Sequence, residues 1–315
     1  MDLIKTLLKQ PFSVIALILG VLLVVLPYMQ IDKDYHLTTH IRTSVVPVAV
    51  GITLLVVAGL AFGFTLWTKH TAKGAGAGLD LTRVKEKDGA LWTTVGGCEI
   101  RVVEGLLQDF ACESGTAIVL PCNEYFDDEC AGDTKSSLGA YVNRAFEGRV
   151  DEFISLVKNE CRGKLGPAIP QQKTENARAE SYGVGRCLLL LNPLRRSAPV
   201  ALVSTTTQRA GQGLATQISY LFAGMRELVT KLADARLNEV AMPVLGAGHG
   251  RVDAPLALVG LLLAVAEAAR YGQGSQRLRK VTIVVFKRDS HTPAQVDRTV
   301  VRRALALIGS SDASS

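Results

Sequence analysis

Three glycines at alternate positions, Gly246, Gly248 and Gly250, follow the apolar stretch Val240–Leu245, and an apolar helical pattern resumes from Asp253. A strand that runs into glycines and then into a helix is suited to holding phosphate. Glycines let the backbone approach a pyrophosphate closely, and the next helix offers free N–H groups and the positive end of its dipole. In this loop His249 and Arg251 are the strong side-chain donors. A second such loop, Ala131-Gly132-Asp133-Thr134-Lys135-Ser136-Ser137-Leu138-Gly139, stands between a strand candidate and a helix candidate. Asn123 follows the same strand, and Thr205, Thr206, Thr207, Gln208 and Arg209 end another. In open α/β sheets, ligands sit beyond the carboxyl ends of strands, where such loops gather. The candidate ligand-binding residues are therefore Asn123, Gly132, Asp133, Thr134, Ser136, Thr205 and Thr206 on one side of a cleft. Leu245, Gly246, Ala247, Gly248, His249, Gly250 and Arg251 supply the other.

Plainer readings stand beside these. The three glycines also suit a tight turn, Asn123 a turn cap, His249 a helix cap and Thr205–Arg209 a polar strand end. A Rossmann fingerprint is disfavoured, because Arg251 holds the third glycine position and the loop lies late in the chain. Asp127, Asp128, Asp133 and His249 are the titratable candidates for acid–base work. They form no distinctive pair, so no catalytic residue is assigned. The six cysteines show no C-x-x-C pair and no zinc spacing, so no metal site or cofactor is expected, and the thiols read as free core residues.

On these residues the chain resembles a macro domain over about Gly89 to Gly309: a strand ending in Asn, a Gly-containing loop, and a later P-V-L-G-A-G-H-G loop. Macro domains bind ADP-ribose and its relatives. The resemblance places Asn123 at the second Asn of the family's N-A-A-N signature, near the distal ribose. It makes Gly132–Ser137 the first phosphate loop and Leu245–Gly250 the second. Two departures are visible. The family's G-D-I-T stretch, whose Asp recognises adenine, corresponds to Gly105-Leu106-Leu107-Gln108, leaving Glu104 and Asp109 as the nearby acids. The early loop also lacks consecutive glycines.

Outside the loops the pattern alternates. Strands are expected at 91–95, 99–104, 116–121, 186–191, 199–205, 238–244 and 280–286, and helices at 106–113, 136–146, 150–161, 213–236, 254–271 and 294–308. Continuous apolar strands suit a sheet buried on both faces, so the fold class is α/β: an α/β/α macro-type domain with a mixed, mostly parallel sheet. Gly163–Gly183 is polar, carries Pro167 and Pro170, and reads as a long loop, either lid or insertion.

Two N-terminal transmembrane helices are expected ahead of this domain. Pro11–Ile31 and Thr43–Thr68 carry no charge, and each approaches the roughly 20 apolar residues that cross a bilayer. The first run also has the basic lead of a signal peptide, but no small-x-small site follows it. The expected organisation is a hairpin at 1–68 with spans at about 12–30 and 45–68, a flexible linker at 69–88, a macro-like domain at 89–309 and a disordered tail at 310–315. Basic residues flank both ends, with Lys5 and Lys9 before the first span and Lys69, Lys73, Arg83, Lys85 and Lys87 after the second. Both termini are thus expected in the cytoplasm of a bacterium whose inner membrane holds the hairpin. Gly59 and Gly63 form a G-x-x-x-G, which serves helix packing or merely reflects membrane composition. The net charge of +6 and mean hydropathy of +0.23 come with scattered basic pairs, and no nucleic-acid partner is expected.

A two-span hairpin followed by a macro domain with G-x-G-H-G is similar to the membrane-macro effectors of type II Thoeris anti-phage defence. That resemblance implies a receptor-effector rather than an enzyme. A nucleotide signal, a histidine conjugate of ADP-ribose made by a TIR-domain partner, would trigger homo-oligomerisation and membrane disruption in the manner of abortive infection. The competing expectations are a membrane-anchored ADP-ribosyl hydrolase and an ADP-ribose-binding recruitment protein.

Overall fold

The computed structural model describes residues 79–109, 115–127, 130–193, 198–210, 213–271 and 277–310. Contacts divide the chain at Gly78, and all described residues belong to the unit Leu79–Ser315. The two expected membrane spans, half of the expected linker (69–78) and residues 311–315 of the expected tail lie outside the described residues, while Ser310, expected to begin that tail, is the last residue of a helix. Among the described residues no helix is long and apolar enough to cross a membrane.

Val281–Val285 and Cys187–Leu190 are buried throughout, as strands covered on both faces must be. In chain order the strands are β1 (Lys85–Lys87), β2 (Ala90–Val95), β3 (Cys98–Gly105), β4 (Thr116–Asn123), β5 (Ile169–Thr174), β6 (Ala177–Ser181), β7 (Cys187–Leu190), β8 (Val200–Arg209), β9 (Gly213–Ala215), β10 (Glu239–Pro243) and β11 (Lys280–Phe286). The main sheet runs β1-β2-β3-β11-β10-β4-β8-β7, with β9 paired to β8. From β3 to β8 the neighbours are parallel; β1–β2, β2–β3, β7–β8 and β8–β9 are antiparallel. This is the mixed α/β sheet expected from the sequence.

The helices are α1 (Ser137–Ala145), α2 (Val150–Lys164), α3 (Ile218–Asp234), α4 (Ala254–Tyr271) and α5 (Arg298–Ser310). Leu221, Met225 and Leu228 of α3, Leu258, Leu261 and Val265 of α4, and Val301 and Leu305 of α5 pack with Ile100, Val203 and Ile283 on one face of the sheet. Leu138 and Val142 of α1 and Phe153 and Val157 of α2 pack with Ile118, Leu120 and Leu202 on the other. α4 carries apolar residues all round, as expected of a helix packed between α3 and α5.

Four local expectations are corrected. Residues 163–183 are not one long loop: β5 and β6 pair as a hairpin, which carries its polar residues because both faces are largely exposed. The helix expected from 213 begins at Ile218, because β8 continues to Arg209 and turns back as β9. A short 3-10 turn, Leu107–Asp109, stands where a helix over 106–113 was expected. The domain begins at Leu79, and β1 lies inside the stretch expected as linker.

Pairing between β4 and β10 runs from Thr116–Glu239 to Ile118–Ala241 and goes no further, while β4 stays with β8 as far as Asn123–Thr206. Neither Pro121 nor Pro243 has an N–H to extend the ladder. The sheet therefore splays between the carboxyl ends of β4 and β10.

Candidate functional site

A cavity of about 390 Å³ opens where β4 and β10 part. Its walls come from Pro121 and Cys122 of β4, Cys130 and Lys135–Leu138, Thr205 and Thr206 of β8, Leu214 of β9, Pro243, Val244, Gly246 and Gly248–Gly250, and Val284, Phe286 and Gln295.

The first wall ends in the amino terminus of α1. Ser136 caps it: its Oγ accepts from the Gly139 N–H at 2.8 Å and lies 2.7 Å from the Cys130 carbonyl and 2.8 Å from the Asp133 carbonyl. Ser137 and Leu138 form the first turn, line the cavity, and their N–H groups donate to no protein acceptor among the described residues. α1 has no acid in this first turn, so the positive end of its dipole is not offset from within the helix.

The second wall is the glycine loop. Gly246 takes φ +86°, and its carbonyl accepts from Val252 at 3.2 Å, closing the turn. Gly250 accepts from the Thr216 N–H at 3.1 Å, while the Thr216 hydroxyl donates to the Thr205 carbonyl at 2.9 Å. A Cβ on Gly250 would overlap that hydroxyl and stand 2.8 Å from the Gly246 carbonyl, so only glycine fits. Gly248 is different: nothing lies within 4 Å of where its Cβ would be. The N–H groups of Gly248, His249 and Gly250 also donate to no protein acceptor among the described residues. Two sets of unpaired N–H groups thus flank one cavity, an arrangement that suits a diphosphate.

Side chains add to this. Lys135 lines the cavity, and its ammonium has no acid partner among the described residues. His249 lines it too, with Nε2 3.3 Å from Asp133 Oδ2. Phe286, half exposed at the end of β11, forms an aromatic wall beside Gln295, whose N–H donates to the Phe286 carbonyl at 2.9 Å. Thr206 donates to the Cys122 carbonyl, whereas the fully buried Thr205 hydroxyl has no partner among the described residues. Burial holds Cys122 well above the usual thiol range and pushes Cys98 and Cys187 up to about 12, so these thiols stay protonated. Among the described residues no group of His, Cys, Asp and Glu is arranged to hold a metal ion.

Of the expected site residues, Ser136, Thr205, Thr206, Gly246, Gly248, His249 and Gly250 line this cavity. Asp133 reaches it through His249. Gly132 and Thr134 are exposed on the same loop without lining the cavity, Leu245 is core, and Ala247 packs against the core. Arg251, at φ +58°, turns its guanidinium towards Gly213. Asn123 is buried outside the cavity, with Nδ2 donating to Asp127 at 2.9 Å and Oδ1 accepting from the Tyr125 N–H at 3.0 Å. Asp127 in turn pairs with Lys173 of β5 at 2.6 Å, and Asp128 lies outside the described residues. Glu104, a nearby acid for adenine, is held 2.6 Å from Lys287 beside a separate open cleft that also includes Asp109. Cys130, Lys135, Leu214, Phe286 and Gln295 were not among the expected site residues: Phe286 closes an apolar strand and reads as core until its neighbours are known, and the others carry no local signal that sets them apart from ordinary loop or strand residues.

No curated protein matches the chain. Among solved structures, the Oceanobacillus iheyensis macrodomain with ADP is 12% identical, with a TM-score of 0.48, and the alignment covers 71% of this chain and 97% of that one. The macrodomain of Thermus aquaticus DarG is 20% identical over 59% of this chain and 97% of that chain, with a TM-score of 0.37. The Trypanosoma brucei macrodomain in complex with ADP-ribose is 12% identical over 67% and 69%, with a TM-score of 0.42. The family model described as "Thoeris protein ThsA, Macro domain" matches residues 106–286, a span that holds both loops and ends on the cavity's aromatic wall. That span is more than half of the chain, which therefore belongs to the ThsA macro-domain family of Thoeris proteins.

Proposed function

We propose that this protein is a receptor for an ADP-ribose-like signalling nucleotide and that its output is exerted on the membrane. The observation that carries the reading is the pair of unpaired N–H sets, Ser137–Leu138 and Gly248–Gly250, facing one cavity. From β11 through β10 and β4 to β8 is three strand spacings, about 14 Å, so the cavity suits an elongated ligand. A base stacks on Phe286 beside Gln295, the diphosphate lies between α1 and the glycine loop with Lys135, and a distal ribose reaches the end of β8. Contact from Asn123 requires its amide to let go of Asp127.

In the fuller proposal the signal is a histidine–ADP-ribose conjugate made by a TIR-domain enzyme, and no metal or other cofactor takes part. The hairpin at 1–68 sits in the bacterial inner membrane with both termini cytoplasmic. Ligand uptake drives self-association, which concentrates the hairpins and disrupts the bilayer. The cavity wall contains His249 and Lys135 but no carboxylate among the described residues, which favours a receptor over a hydrolase working with paired acids. Calorimetry of the full chain in detergent with ADP-ribose and with histidine–ADP-ribose tests this. Tight uptake with the ligand recovered intact is expected; absence of binding, or release of ribosylated products, overturns the receptor reading.

A further inference from the structure

We propose that Asp133 is a built-in competitor for the anionic part of the ligand and so sets which nucleotides the cavity accepts. The inference rests on the reading of the cavity as a phosphate site. One carboxylate here takes a donor from each of the two loops that frame the cavity. Its Oδ1 accepts from the Lys135 N–H at 2.9 Å, on the α1 side, and its Oδ2 lies 3.3 Å from His249 Nε2, on the glycine-loop side. Lys135 and His249 both line the cavity, and Asp133 stands behind them. α2 carries Asp151 and Glu152 in its own first turn, whereas α1 has no acid there and has Asp133 in the preceding loop instead.

The carboxylate is separable from the fold. The structural task at this position falls to the Asp133 backbone carbonyl, which accepts from the Ser136 N–H at 2.9 Å and lies 2.8 Å from the Ser136 hydroxyl. The side chain is partly exposed, so it adds little burial. What it adds is a negative charge one side chain removed from the cavity, where it engages the His249 imidazole that a phosphate would otherwise receive.

The consequence is selectivity. An entering phosphate must draw His249 away from Asp133 and then lie against a like charge, and that repulsion grows as water is excluded. A small anion gains the free N–H groups and Lys135 but has nothing else to offset the repulsion. A ligand that also stacks on Phe286 and reaches β8 does. A repulsive element of this kind discriminates against ligands that make only the shared contact. In a sensor it raises the threshold against free phosphates and short nucleotides.

The test compares wild type with Asp133→Asn in full-length protein in detergent, using inorganic pyrophosphate and ADP-ribose as titrants. The amide oxygen still accepts from the Lys135 N–H, and only the charge is lost. Asp133→Ser, whose hydroxyl also serves such a turn, guards against a local effect of the amide. Both variants are expected to bind pyrophosphate about tenfold tighter than wild type and to gain less for ADP-ribose, whose diphosphate carries less charge, with both gains shrinking as salt is raised. Equal or weaker binding by both variants, with thermal melts unchanged, makes Asp133 a loop cap or a ligand contact and overturns the competitor. If wild type and both variants bind neither titrant, the phosphate reading of the cavity falls and the competitor falls with it.

Discussion

Gly248 and Gly250 stand two positions apart in the same loop, yet substitution affects them in opposite ways. Open space surrounds Gly248, so Gly248→Glu should leave the fold intact and place a carboxylate among the N–H groups that face the cavity. Melting is expected to be unchanged, while ADP-ribose affinity falls at least about a hundredfold, since a like charge then sits at close range in the site. Gly250→Ala drives a methyl group into the Thr216 hydroxyl and the Gly246 carbonyl. Overpacking of this kind costs about 1–3 kcal/mol, seen as a lower midpoint in denaturant, with binding lost only as the loop is displaced. If Gly248→Glu binds normally, the glycine loop is a turn and no more. At this scale the sequence was informative wherever the chemistry is local. Alternate glycines with a histidine between the last two single out Gly246, Gly248, His249 and Gly250 without knowledge of the fold, and all four line the cavity. Asn123 was less legible, because its amide is spent on Asp127 and Tyr125 within its own turn, and residue type alone does not reveal which acceptor an amide has found.

The element that matters most is the short helix α1, held by one residue. Ser136 accepts from Gly139, lies within hydrogen-bonding reach of two loop carbonyls, and belongs to the cavity wall. Ser136→Ala removes the cap and is expected to cost about 1–2 kcal/mol of unfolding free energy in urea titrations. Because the first-turn N–H groups then lose their fixed direction, pyrophosphate affinity should fall as well. A stability loss with unchanged pyrophosphate binding would show that α1 does not present its amino end to the ligand. Helices such as α2 and α3 could be read from periodicity because their buried faces repeat along a single stretch of chain. The hairpin β5–β6 could not, since strands exposed on most of their surface show no apolar alternation. β9 was absorbed into a predicted helix because Leu214 and Ala215 continue the apolar rhythm of Ile218–Asp234 without an intervening glycine or proline. The splay between β4 and β10 that creates the cavity was beyond local reading. It depends on pairing between segments more than a hundred residues apart, and the prolines that end it acquire meaning only once those strands are neighbours.

The whole molecule divides at Gly78, and every feature of the proposed sensing site lies in Leu79–Ser315. A ligand held in that unit stabilises it by mass action, about 2.7 kcal/mol at a hundred times its dissociation constant. Stabilisation alone does not reach a membrane. A glycine-rich sequence such as Lys73–Gly78, expected from its composition as a flexible linker, would be a poor lever for transmitting a rigid-body change. Self-association is a better coupling, because it raises the local concentration of whatever is tethered to the ligand-bound unit. Two forms of the protein separate these possibilities. A fragment covering 79–315 is expected to match the full chain in ADP-ribose affinity and in ligand-induced rise of melting temperature. It should release no dye from liposomes. The full chain in the same liposomes should release dye only when ligand is present, with a rate that rises more steeply than linearly with protein density. A linear dependence would remove self-association from the mechanism, since a device that acts one copy at a time has no reason to depend on the density of its neighbours.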